Sequence, residues 1–131
     1  MPIQTQFLRD GRVMLNTFTE PLELPEVDDM IERVNRDFFD KALKPVHTID
    51  DLTLIKQLPP NILSNARPLI PKRHQMAGHG YIVVKAGLLS MIARSLLNVI
   101  GRDNLQVVYS IEDALEKIDQ TLWQEGSSLT S

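Results

Sequence analysis

At 131 residues the chain is the size of one domain with one core, and its 43% hydrophobic and 24% charged content is ordinary for a globular protein. A net charge of −3 leaves no basic footprint for nucleic acid, and the absence of cysteine removes disulfides, thiolate metal sites and cysteine nucleophiles together. No apolar run approaches the roughly 20 residues of a membrane span, so no stable membrane insertion is expected. Met1 to Asp10 lacks the apolar stretch of a secretion signal, which makes the cytoplasm the default location.

Ile3 to Phe7 alternates polar and apolar residues at period two, and Arg12 to Phe18 does so less cleanly. Asp10-Gly11 stands between them, the strongest short hairpin signal when flanked by alternating segments. Pro25 suits the first turn of a helix, and Glu26, Asp28 and Asp29 favour the positive end of its dipole. Val27, Met30, Ile31, Val34 and Phe38 then form one helical stripe for a single sheet face. A short strand follows from Pro45 to Asp50 or Asp51, and Pro59-Pro60-Asn61 starts a short helix that Pro68 and Pro71 stop. Lys72 to Gly80 reads as a basic, glycine-bearing loop before an apolar strand at Tyr81-Ile-Val-Val-Lys85.

Gly87 to Ile100 has helical period, Gln106-Val-Val-Tyr109 is a second apolar run, and Ser110 caps a last helix with Asp113 three residues on. The stripe of that helix is Ile111, Ala114, Leu115, Ile118 and Leu122, and residues 126–131 form a polar tail expected to fray. Two β-branched runs joined by a helical crossover imply a parallel pair. The expectation is therefore a single α/β domain over residues 1–125. Its mixed sheet has four to five strands, an N-terminal antiparallel hairpin followed by parallel βαβ units, covered by about four helices.

Few residues offer chemistry. His47, His74 and His79 lack the spacing of a helical ligand pair, so no metal is assigned, and neither phosphate-loop pattern occurs. Asp50 and Asp51 end one strand and Lys85 ends the next, with Gly87 opening a helix whose amides could cradle an anion. Ligands of open α/β sheets bind beyond the carboxyl ends of the strands, which makes Asp50, Asp51, Lys85 and Gly87 the candidate ligand or anion set. No catalytic residue and no cofactor is assigned.

The Gly87–Ile100 stretch is unusually apolar. Leu88, Leu89, Ile92, Ala93, Leu96, Leu97, Val99 and Ile100 fill an arc of about 180°, beyond the roughly 100° stripe of a surface helix, leaving Ser90, Arg94 and Asn98 as a narrow polar line. Leu88, Met91, Ser95 and Val99 are the candidate interface.

Val46-His-Thr-Ile-Asp-Asp-Leu-Thr53, Gly80-Tyr-Ile-Val-Val-Lys85 and Val107-Val-Tyr-Ser-Ile-Glu-Asp-Ala-Leu115 resemble the STAS superfamily, and within it the single-domain SpoIIAA-like proteins related to bacterial anti-sigma-factor antagonists. The resemblance spans roughly Arg12 to Leu122 and rests on motif order and spacing. It implies a strand ending in an Asp-Leu-Thr step, a later strand leading into a long helix, and a last strand opening a Ser-x-Glu-Asp-Ala-Leu helix. The antagonists carry a phosphorylatable serine about eight residues past that aspartate. Here Pro59-Pro60-Asn61 stands in its place.

The resulting expectation is a non-enzymatic cytoplasmic interaction or signalling domain without the phosphoserine switch, acting through a homodimer or a protein partner. The alternative is a small-molecule or lipid-binding module that takes an apolar ligand between helix 87–100 and the sheet.

Overall fold

The computed structural model describes residues 3–21, 23–56, 75–87, 90, 91, 93–95, 97 and 104–130. Five strands form a mixed sheet: β1 (Ile3–Leu8), β2 (Val13–Phe18), β3 (Val46–Asp51), β4 (Ala77–Val83) and β5 (Leu105–Val108). Helix α1 (Leu24–Asp37) and a 3₁₀ turn (Phe39–Lys41) lie between β2 and β3, and helix α2 (Ile111–Thr130) follows β5. Residues 90, 91, 93–95 and 97 are also helical. Of the four helices expected, α1 and α2 have defined extent and the 87–100 helix is described in part; the 3₁₀ turn is additional, and the short helix read after Pro59 lies outside the described residues.

The hairpin forms where Asp10-Gly11 placed it. β1 and β2 pair antiparallel from Ile3–Phe18 to Leu8–Val13. Arg9, Asp10 and Gly11 all take positive φ (53°, 56° and 83°), so three successive residues are left-handed and glycine is the one that adopts this without strain. β2, β3, β4 and β5 then pair in parallel, and the spatial order β1-β2-β3-β4-β5 repeats the order along the chain.

Strand alternation divides the core in two. Met14, Phe18 and Val46 face α1, where Met30, Val34 and Phe39 bury against them. Val13, Leu15, Ile49, Tyr81, Val83 and Val108 face α2, which contributes Ala114 and Ile118, both fully buried. Each Val, Leu, Ile, Phe or Met side chain so removed from water stabilises the fold by about 1.5–3 kcal/mol. The α2 stripe read from the sequence packs as expected, with Ile111, Leu115 and Leu122 against this second cluster. Ser110 caps the helix, its Oγ accepting the Asp113 N–H at 3.0 Å.

Three boundaries differ from the sequence reading. Helix α1 stops at Asp37, so Phe38 leaves the core stripe and packs on Phe7 at 4.7 Å between ring centres, while Phe39 takes the buried place. β4 begins at Ala77, inside the stretch read as a loop, because Gly78 and Gly80 are strand residues here. α2 continues through Gly126 to Thr130, where the composition suggested a tail. Glu125, bonded to Arg12, ties the helix to the sheet one residue before that glycine.

Candidate functional site

The carboxyl ends of β3, β4 and β5 share one edge of the sheet. After β3, the Asp51 carboxylate oxygen Oδ1 accepts both the Thr53 N–H at 3.0 Å and the Thr53 hydroxyl at 2.7 Å. The Leu52 N–H donates to the Val83 carbonyl at 2.8 Å, which holds this turn against β4. Ile55 is then buried while Leu54 is 56% exposed. The Asp-Leu-Thr step is thus a self-closing turn.

After β4, Val84 is fully buried and Lys85 is exposed. Gly87 adopts φ 134°, a left-handed value that favours glycine. Its N–H donates to Ser90 Oγ at 3.1 Å, and the Ser90 hydroxyl donates to the Gly87 carbonyl at 2.7 Å. This reciprocal cap explains why Ser90, read as part of a polar stripe, is buried. It also engages the Gly87 amide, one of those an anion would use. Met91 follows at 65% exposure.

After β5, Tyr109 is 45% exposed. Arg94 donates to its hydroxyl at 2.6 Å and lies 5.5 Å from its ring centre.

The candidate residues are therefore distributed as follows. Asp50 and Asp51 are successive strand residues, so alternation sends them to opposite faces. Asp51 is on the α2 side with Ile49. Asp50 is on the α1 side, where its Oδ1 accepts the Asn16 Nδ2–H at 3.0 Å while Asn16 Oδ1 accepts the Thr5 hydroxyl at 2.7 Å. The three side chains make a polar rung across β1, β2 and β3. Lys85 and Gly87 follow β4 and are exposed, as are the helical residues Met91 and Ser95. Leu88 and Val99 lie outside the described residues, as does His74.

The opposite edge holds a cluster that the sequence reading missed. His47 is 2% exposed, and its Nδ1 accepts the His79 N–H at 2.9 Å. The His47 and His79 rings stack at 5.5 Å. His47 Nε2 stands 3.6 Å from Glu125 Oε1, and Arg12 donates to Glu125 Oε2 at 2.6 Å and to the Pro45 carbonyl at 3.1 Å. Burial pushes the His47 imidazole below its ordinary value; Glu125 opposes that shift, and the His79 ring and Arg12 add to it. With Nδ1 accepting, the proton of the neutral ring sits on Nε2, facing Glu125. Burial works against the Glu125 carboxylate, but Arg12 and His47 hold its carboxyl below the usual range. Among the described residues no group of three or more His, Asp or Glu is arranged to hold a metal. One signal for this cluster was available: His47 shares strand parity with Ile49, which marks it as inward-facing.

No family model matches this chain, and no curated protein or solved structure matches it. No helix among the described residues is long and apolar enough to cross a membrane.

Proposed function

We propose that this chain is a non-enzymatic, cytoplasmic protein-interaction module of STAS-like type, working without a phosphoserine switch and docking a partner at the carboxyl edge of its sheet. A second copy is the simplest partner, since two-fold homodimers are the commonest assemblies. The observation that carries the reading is the exposure of Leu54, Met91 and Tyr109. Each follows the end of one of three successive parallel strands, and each is a large apolar side chain at least 45% exposed. Grouped apolar side chains on a surface mark interaction sites more than singly scattered ones do. Methionine, flexible and polarisable, suits a surface that adapts to another.

The polar groups nearby support the same reading, because they are engaged within the fold: Asp51 with Thr53, Gly87 with Ser90 and Asp50 with Asn16. The resemblance of residues 46–53 and 107–115 to the STAS pattern adds the family context, and Pro59-Pro60-Asn61 at the switch position supplies no hydroxyl.

The test is native mass spectrometry and light scattering of the wild type and of a Leu54→Glu/Met91→Glu variant. Both positions are exposed, so the variant should keep its fold by circular dichroism. The expected result is a dimer or a captured protein for the wild type and its loss in the variant. A wild type that is monomeric and alone at all concentrations overturns the proposal, as does an assembly that the variant leaves intact.

A further inference from the structure

The outer face of α2 carries a second surface, independent of the carboxyl edge. An open, shallow groove of about 730 Å³ runs along the helix, lined by Glu112, Leu115, Glu116, Asp119, Trp123 and two glutamines of α2 and bounded by Arg9 of the hairpin turn. The Arg9 guanidinium donates to Asp119 through two bonds, Nε to Oδ1 at 2.8 Å and Nη2 to Oδ2 at 3.1 Å, at that wall. Trp123 is 72% exposed, the largest apolar side chain on the described surface. A tryptophan left that open forgoes burial that the helix could have given it on its inner face, where Leu122 packs instead.

The charge of the groove identifies what fits it. Arg9 neutralises Asp119, whereas Glu112 and Glu116 are exposed and have no partner among the described residues. They stand four residues apart, a spacing at which like charges on a helix repel. A cation between or beside them relieves that repulsion, and the Trp123 indole, four residues from Asp119, attracts a cation as well. An anionic surface, nucleic acid or acidic lipid, meets the wrong sign here.

We infer that this groove docks a basic amphipathic helix of a partner protein, with lysine or arginine on Glu112 and Glu116 and an apolar side chain on Leu115 and Trp123. In helix-in-groove recognition the docked helix presents its apolar anchors at i, i+3, i+4 and i+7, which an amphipathic partner helix supplies. The inference does not depend on the carboxyl-edge proposal, and the two use different side chains.

Trp123 is the chain's one tryptophan, so its fluorescence reports directly on the groove. The probe is an amidated Lys/Leu amphipathic peptide of about 15 residues, long enough to begin to hold a helix. Its control is the same peptide with Glu for Lys. The expected result is a saturable blue shift with the basic peptide, weakened by added salt, and no saturable shift with the acidic one. Glu112→Lys/Glu116→Lys should weaken binding about tenfold or more, as two exposed attractions become repulsions. Trp123→Leu, read by isothermal calorimetry, should weaken it as well. Equal binding of both peptides, unchanged affinity in the folded charge-reversal variant, or no saturable response overturns the inference.

Discussion

His47 accepts a hydrogen bond at Nδ1 from the backbone N–H of His79, 2.9 Å away, and this bond joins a nearly sealed imidazole to the neighbouring strand. An acceptor nitrogen cannot also carry a proton. Protonating His47 sets two donors against each other, even as the new charge gains attraction from Glu125.

The first prediction concerns pH. The folded His47 value lies below the ordinary 6.5. Between those two values the unfolded chain binds more protons than the native one, so stability rises with pH across that window. The contribution is fully present above about 6.5 and is lost as pH falls through the folded value. Arg12, His79 and Glu125 face the ring, and Glu125, held below its own ordinary value, titrates at lower pH. Urea midpoints should fall as pH drops below about 6.5, and His47→Gln should flatten that dependence. A nitrogen-detected NMR titration that finds the neutral proton on Nδ1 would count against it.

A second prediction follows from the space beside that ring. A Cβ added at Gly78 would stand 2.6 Å from His47 Nδ1 and 2.8 Å from Cε1. The ring is buried and cannot swing away freely, so Gly78→Ala should destabilise the protein by about 1–3 kcal/mol. In chemical denaturation, His47→Ala combined with Gly78→Ala should cost clearly less than the two losses added together. Additive losses would mean that the methyl group strikes something other than His47.

Asn16 bridges Thr5 and Asp50 while only 3% exposed. Asn16→Ala removes both bonds and should cost about 1–3 kcal/mol. Asn16→Asp is the sharper test, because it sets a carboxylate against Asp50 at the present 3.0 Å spacing. That variant should be weakest at neutral pH and recover, relative to the wild type, as pH falls towards the carboxylate range near 4. Thermal melts across pH would show this crossing.

The Arg9–Asp119 pair should contribute little to stability despite its bidentate geometry. Its side chains are 42% and 47% exposed, so water screens the attraction and ordering two side chains offsets much of it. A double-mutant cycle should give a coupling near the scatter of the measurement, smaller still in high salt. A large coupling that persists in salt would show the pair to be shielded.

Much of the fold was legible because its signals are local. Asp10-Gly11 marked the hairpin, the 27–34 stripe marked α1, and Ser110 with Asp113 marked the start of α2. The start of β4 was not legible, since Gly78 and Gly80 read as loop residues until a partner ring explains one of them. The candidate site was legible in position rather than in partnership. Asp50-Asp51 looks like a pair in one dimension, yet β-alternation parts it. The His47 cluster draws on residues 12, 45, 47, 79 and 125, and no local pattern joins positions that far apart.

Because sheet order repeats chain order, every strand meets a partner already made, and the sheet can extend in one direction from the hairpin. Closure is a different matter. The face carrying Val13, Leu15, Ile49, Tyr81 and Val83 is covered by α2, the last element of the chain. That helix also reaches back to Arg9 and Arg12 across 110 and 113 residues. Among the described residues α2 is the helix that packs on this face, so until residues beyond 110 are available the face lacks that cover, and exposed apolar sheet is the kind of surface that chaperones hold and that aggregates recruit. Growth of this molecule is vectorial, and its vulnerability lasts until α2 docks.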